Sequence, residues 1–332
     1  MSSRLRRTVI AASVAVISAL SLAGCALQPA ASFVPAVKAG SIKPIAGLPA
    51  DASVVVTSKN FTEQIILGKI AVLALTAAGF HATDMTNVPG SEAVRQLMLN
   101  DGADVTYEYT GTAWLTYLGH TAGIADQQQQ YEAVKKADAT NGLTWLPETP
   151  MNDTYAFATA AATAKKLGVS TLSDIATLPV SERTFCVESE FNSRPDGFRP
   201  MLKKYGLELG GSGANAVPAK NVKILDTGTV YTATAHGKCN FGEVFTTDGR
   251  IGSLNLTVLA DDQHFFPAYN GAPVVNTRKL QEYPQIASVL NAISPKLTNE
   301  ALIALNRKVD VEGEDPGTVA SDWLIDEGFL KK

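Results

Sequence analysis

The chain has 332 residues, of which 45% are hydrophobic and 18% charged, and a formal net charge of −4. That length supports one large or two medium domains. An acidic balance, with a pI near 5.6, supplies no basic field to displace counterions from phosphates and excludes a nucleic-acid surface.

Arg4, Arg6 and Arg7 precede an apolar run from Val9 to Leu22, followed by Ala23, Gly24 and Cys25. A basic start, a short apolar stretch and small residues before a cut site predict a secretory signal over residues 1–24. The run is shorter than the roughly 20 residues a spanning helix needs. A cysteine directly after Ala-Gly resembles a bacterial lipobox, which implies an acylated Cys25 that tethers the chain to a membrane without crossing it. Residues 25–51 are rich in Ala, Pro, Ser and Gly without apolar periodicity, and read as a lipid-anchored flexible tether. Cys186 and Cys239 then remain. In an exported chain they are a disulfide candidate, the alternative being two buried thiols. No Cys-x-x-Cys spacing points to redox or zinc chemistry.

Beyond the tether, strand and helix patterns alternate. The β-branched run Ser53–Thr57 predicts a buried strand, and apolar spacing from Ile65 to Leu75 a helix ending at Gly79. Ser91–Leu99 reads as an amphipathic helix and Ala103–Tyr109 as a strand. The β-α-β-α-β order implies a parallel sheet covered by helices. The pattern resumes with strands over Tyr155–Ala162, Thr184–Glu188, Val222–Leu225 and Asn240–Phe245. Helices fall at Leu172–Ala176, Gly197–Tyr205 and Thr229–His236. The last part returns to strand at Leu256–Leu259 and Pro273–Asn276, ends in helices, and is expected to pack on the first unit. Residues 52–150 and 249–332 thus form lobe one and 151–248 lobe two, with two crossings between them and a cleft that closes by hinge motion.

Enzymatic patterns are missing from the sequence. His81, His120, His236 and His264 are scattered, with no metal-ligand spacing, and there is no G-x-S-x-G elbow. The expected classification is a non-enzyme without metal or cofactor. Binding is a better reading, because ligands of open α/β sheets lie beyond the carboxyl ends of the strands. Lys59 follows the first strand and precedes a helix N-terminus, and both attract an anion. Tyr109, Thr110, Gly111 and Thr112 follow the third strand. They offer a ring, two hydroxyls and a glycine for close backbone approach.

Five stretches in chain order carry a resemblance: Ser58–Gln64 (SKNFTEQ), Glu108–Thr112 (EYTGT), Phe245–Ile251 (FTTDGRI), Asp261–Pro267 (DDQHFFP) and Val309–Pro316 (VDVEGEDP). Together they resemble the osmoprotectant-binding lipoproteins (glycine betaine, carnitine, choline) of ABC importers, from about Ser53 to the C-terminus. The resemblance implies a two-lobed, type II periplasmic-binding-protein fold, a monomer, a quaternary-amine ligand, an ABC permease as partner and an extracytoplasmic, membrane-anchored location. Choline, another cation, or a sensing role on the same fold is the alternative.

By the same resemblance, Tyr109, Tyr155 and Tyr231 form walls of a cage around a quaternary ammonium, and the backbone carbonyl of Asp153 faces the cation. Lys59, Thr112 and Arg194 hold the ligand carboxylate. A quaternary ammonium donates no hydrogen bond, so rings must hold it by cation–π contact and shape. A carboxylate suits Lys and a bidentate Arg. Where the family often has a fourth ring, Gly252–Leu256 has none, leaving Phe245 or Tyr269 as substitutes. Tyr107, Trp114, Trp145 and Trp323 read as packing and Phe61 as a helix staple. Asp248 and Arg250 are expected to brace the lobe crossing.

Overall fold

The structure, a computed structural model, describes residues 35–332. The signal segment and Cys25 lie outside the described residues. The strands in chain order are β1 Lys38–Ala39, β2 Ser53–Lys59, β3 His81–Val88, β4 Val105–Tyr109, β5 Leu143–Trp145, β6 Tyr155–Ala160 and β7 Phe185–Glu188. They continue with β8 Glu208–Leu209, β9 Ala216–Val217, β10 Val222–Leu225, β11 Phe241–Phe245, β12 Leu256–Val258, β13 Gly271–Asn276 and β14 Leu330–Lys331.

Two five-stranded sheets organise them, in the orders β3-β2-β4-β13-β5 and β10-β7-β11-β6-β12. In the first, β2 runs parallel to β3 and β4, while β13 runs antiparallel to β4 and β5. In the second, β7 runs parallel to β10 and β11, while β6 runs antiparallel to β11 and β12. One antiparallel strand inside each otherwise parallel sheet lets the chain leave a lobe and return to it.

The helix Thr62–Ala77 is apolar on almost every side and accordingly buried from Glu63 to Leu75. It lies between the first sheet and the C-terminal helices, in a core with Val54, Val56, Ile286, Leu290, Leu302, Val319 and Leu324. Its one internal lysine, Lys69, is fully buried and pairs with Asp84 on β3. A second core gathers Phe157, Phe185, Phe191, Phe198 and Phe241 in lobe two. On that lobe the structure joins Cys186 to Cys239 as a disulfide, with Cα atoms 5.7 Å apart.

Two boundaries differ from the sequence reading. Part of the expected tether is a packed element: β1 pairs antiparallel with β14, and the amides of Gly40 and Ile42 donate to the Phe329 carbonyl. Ile42 is buried in the lobe-one core, with Val37, Ile45 and Leu48 packed against it. Four spaced aliphatics, hidden by the Ala/Pro/Gly background, supply the apolar area. Gly40 permits the approach, since a Cβ there would lie 2.6 Å from the Phe329 carbonyl oxygen.

The second correction concerns the return crossing. β12 pairs with β6 in the second sheet, Ala260 bridges to Thr171, and Phe265 and Phe266 pack on the lobe-two core. Lobe two therefore continues past residue 248, and the chain returns between Pro267 and Gly271. A short helix, Arg250–Ser253, turns the chain back along the free side of β6. Arg250 still braces the lobes, as expected, by pairing with Asp248 at 2.5 Å and with Asp310 of lobe one at 3.4 Å.

Candidate functional site

The carboxyl ends of β2, β4 and β7 converge on one cavity of about 390 Å³ between the lobes. Lys59, Tyr109, Thr112, Asp153, Tyr155 and Arg194 all line it. Tyr231 does not. It packs with Ala156, Ala158, Val244 and Leu256 in a separate lobe-two cluster. There its hydroxyl accepts the Phe245 amide at 2.8 Å, and the Arg250 guanidinium covers its ring at 4.4 Å. The helix Thr227–Ala235 presents Thr227 to the cavity and carries Tyr231 one turn further into the lobe.

Phe61, Phe245 and Tyr269 also reach the cavity. Phe61 precedes the first turn of the helix Thr62–Ala77, but its ring joins the wall rather than stapling the helix. Five rings form a continuous arc. Phe61 stacks on Tyr109 at 6.2 Å and on Phe245 at 5.1 Å, and Tyr155 lies 5.2 Å from Phe245. Tyr269 stands edge-on to Tyr155 at 5.4 Å and 89°. Gly111 sets the last position, because a Cβ there would sit 2.6 Å from the Tyr269 ring. Phe245 and Tyr269, the two rings offered as substitutes for the aromatic that Gly252–Leu256 lacks, both line the cavity. Burial pushes the phenols of Tyr109, Tyr155 and Tyr269 well above their ordinary value, so the rings stay neutral.

The polar wall faces this arc. Lys59 Nζ donates to Glu108 Oε1 at 2.5 Å, and Glu108 also accepts from the Tyr117 hydroxyl and the Tyr109 amide, each at 2.8 Å. Arg194 is held by Asp196 in a two-point fork, at 2.8 and 2.6 Å. It lies 3.3 Å from Glu190 and 3.5 Å from the Thr112 hydroxyl. Burial works against its charge, but the Asp196 carboxylate, by charge and by hydrogen bond, outweighs it and holds the guanidinium protonated. Glu190 accepts the Ser91 amide at 3.1 Å from across the cleft. Its own burial pushes its pKa up, yet Ser91 and the Lys59 charge outweigh that and leave it below the usual value.

Both cations of the site are therefore already engaged by acids of the protein, a feature that sequence reading missed. Its trace is visible in Glu190-Phe-Asn-Ser-Arg194-Pro-Asp196, where acids stand four before and two after the arginine. Gly197 fixes that turn: a Cβ would meet the Phe191 carbonyl oxygen at 1.9 Å. Among the described residues, no cluster of three or more His, Cys, Asp or Glu is arranged to hold a metal ion.

Two α/β lobes joined by two crossings, with one aromatic-lined cavity between them, define a two-lobed periplasmic-binding-protein fold. Residues 52–326 match the substrate-binding domain of ABC-type glycine betaine transport systems, and the chain belongs to that family. It is 35% identical over 293 residues to a glycine-betaine-binding protein of Pseudomonas aeruginosa, covering 86% of this chain and 91% of that one. It is 32% identical over 295 residues to the glycine betaine-binding protein YehZ of Escherichia coli, covering 86% and 93%. The crystal structure of a glycine betaine/carnitine/choline ABC transporter superposes with a TM-score of 0.67 at 26% identity, covering 84% of this chain and 99% of that one. The chain is thus a substrate-binding protein of a glycine betaine-type ABC importer, a class that captures solutes outside the cytoplasmic membrane and is not enzymatic.

Proposed function

We propose that the chain captures a quaternary-ammonium compatible solute of the glycine betaine type between its lobes and delivers it to its permease, while tethered through an acylated Cys25 as a monomer. The observation that carries this reading is the arc of five rings around one inter-lobe cavity, with Lys59, Thr112 and Arg194 on the facing wall. A permanent cation without a donor gains from ring faces and shape, at about 0.5–2 kcal/mol per ring. Asp153 adds a backbone carbonyl toward the cation, and Lys59, Thr112 and Arg194 take the carboxylate. A ligand touching both lobes stabilises the closed form, which is the form that docks productively.

Choline is the second reading. It is favoured by the engagement of Lys59 and Arg194 by Glu108, Asp196 and Glu190, which leaves the polar wall rich in acid. Calorimetric titration of the chain from residue 26 onward, with glycine betaine and then choline, separates the two. Saturable betaine binding that Tyr155→Ala weakens supports the first. Choline binding without betaine binding supports the second, and heat from neither removes both.

A further inference from the structure

Behind Phe61, Asp153 and Phe245 lies a small void of about 10 Å³ that also touches Glu63, Thr247, Asp248, Arg250, Asn306 and Asp310. There is room for one water at most. Two buried acids meet there. Glu63, in the first turn of the helix Thr62–Ala77, accepts from the Tyr109 hydroxyl at 2.7 Å, the Thr247 hydroxyl at 2.5 Å and the Asn306 amide at 3.3 Å. Asp153, in the first crossing, accepts the Thr247 backbone amide at 3.3 Å. One threonine of lobe two is thus held between two carboxyl groups, one from lobe one and one from the crossing.

No cation among the described residues of the protein pairs with either of them. Among the described residues neither Glu63 nor Asp153 forms an ion pair. The surrounding charges are committed elsewhere: Lys59 to Glu108, and Arg250 to Asp248 and Asp310. Asp248 adds further negative charge. Two adjacent, buried, unpaired carboxyl groups cannot both remain ionised.

We infer that Glu63 and Asp153 share one proton when the lobes close, so that ligand capture takes up a proton and Glu63 acts as the positioning residue for the Tyr109 ring. Part of this rests on the proposed function, since it takes ligand capture to be what closes the lobes. Glu63 has three donors and keeps the charge; Asp153, with fewer, keeps the proton. Burial pushes both carboxyls upward, and their mutual repulsion adds to the effect on Asp153. In the open form, with Thr247 withdrawn, water solvates both and both ionise at neutral pH. The closed form binds the proton more tightly, so affinity is highest at acidic pH. It weakens, by up to about tenfold per pH unit, as pH rises through the range in which the pair ionises.

The test is calorimetric titration with glycine betaine, and with choline, in buffers of different ionisation enthalpy. Heat that depends on the buffer, corresponding to about one proton taken up per ligand, is expected for the wild type. The double variant Glu63→Gln, Asp153→Asn should lose that uptake, and Glu63→Gln alone should flatten the pH dependence of affinity. Binding heat that is independent of buffer in the wild type, or uptake unchanged in the double variant, overturns the inference. If neither ligand gives heat, the proposed function fails, and the pair is read without ligand. With the lobes held closed by a chemical cross-link, a protonated-carboxyl C=O stretch in the infrared spectrum at neutral pH, absent from the double variant, then supports the pair, and its absence overturns it.

Discussion

The rings of Phe61 and Phe245 stack across the cleft at 5.1 Å and 18°, and they belong to different lobes. Phe61 follows β2 in lobe one; Phe245 ends β11 in lobe two. The aromatic wall is therefore completed only when the lobes close, so each ring contributes both to the cavity and to closure. Phe61→Ala and Phe245→Ala are each expected to weaken ligand binding roughly 2- to 30-fold, the range of one cation–π contact. Because each change disrupts the same stack, the double variant should lose less than the sum of the two. Calorimetry checks this, and fully additive losses would show that the stack does not couple the two rings.

Tyr231 allows the cavity and the core to be told apart. Its hydroxyl satisfies the Phe245 amide and its ring lies under Arg250, away from the cavity. Tyr231→Phe should lower stability by about 1 kcal/mol, the net value of one hydrogen bond, and leave affinity nearly unchanged. Tyr155→Ala should do the reverse in emphasis, losing affinity roughly 2- to 30-fold. Denaturant midpoints and titrations of both variants decide the matter. Equal affinity losses would return Tyr231 to the cage.

How far the sequence was readable follows the range of the interactions involved. Strand ends and glycine turns are local, so the sequence alone points Lys59, Tyr109 and Thr112 toward the cleft, and in the structure all three line the cavity. Tyr231 depended on which side of a short helix faces the cavity, and one turn decides that. Phe61 looked like a staple because its local role is common, while its partner, Phe245, lies far along the chain. The edge position of β12 beside β6 is a non-local pairing, and the motif before it touches lobe one through Arg250 and Asp310. Its lobe therefore could not be assigned from strand pattern alone. The pairing of Lys59 with Glu108 joins residues far apart in the chain, and an acid two residues after Arg194 has no pattern that separates a partner from a solvated side chain.

That pairing gives a further prediction. Lys59 and Glu108 form a buried ion pair at 2.5 Å, both nearly inaccessible to solvent. Lys59→Met strands a buried carboxylate with only two neutral donors, and should destabilise the fold by about 3–5 kcal/mol. Adding Glu108→Gln should recover most of the loss, because no charge then remains to be solvated. Thermal and denaturant unfolding of the single and double variants test this. A double variant as unstable as the single would mean that the loss does not come from a stranded charge on Glu108.

Glu243, on β11, has a carboxyl that burial pushes up to about 8, opposed by the Glu188 amide hydrogen bond at 2.8 Å. Below the ordinary range near 4.5 the group is neutral in both folded and unfolded chains and has no effect on pH dependence. As pH rises from there, the unfolded chain ionises first, while the folded chain must either keep its proton or bury a charge. Stability from this group is therefore fully present in acid, falls as pH rises, and levels off above about 8. At about 1.4 kcal/mol per unit, the fall is on the order of 4–5 kcal/mol across that window. Glu243→Gln keeps an acceptor for the Glu188 amide and removes the titration, so its stability should decline much less between pH 5 and pH 8 (about three units, a span chosen to bracket the transition). Urea unfolding at the two pH values provides the measurement. Parallel declines in wild type and variant would assign the pH dependence to other groups and show that Glu243 is charged in the folded chain.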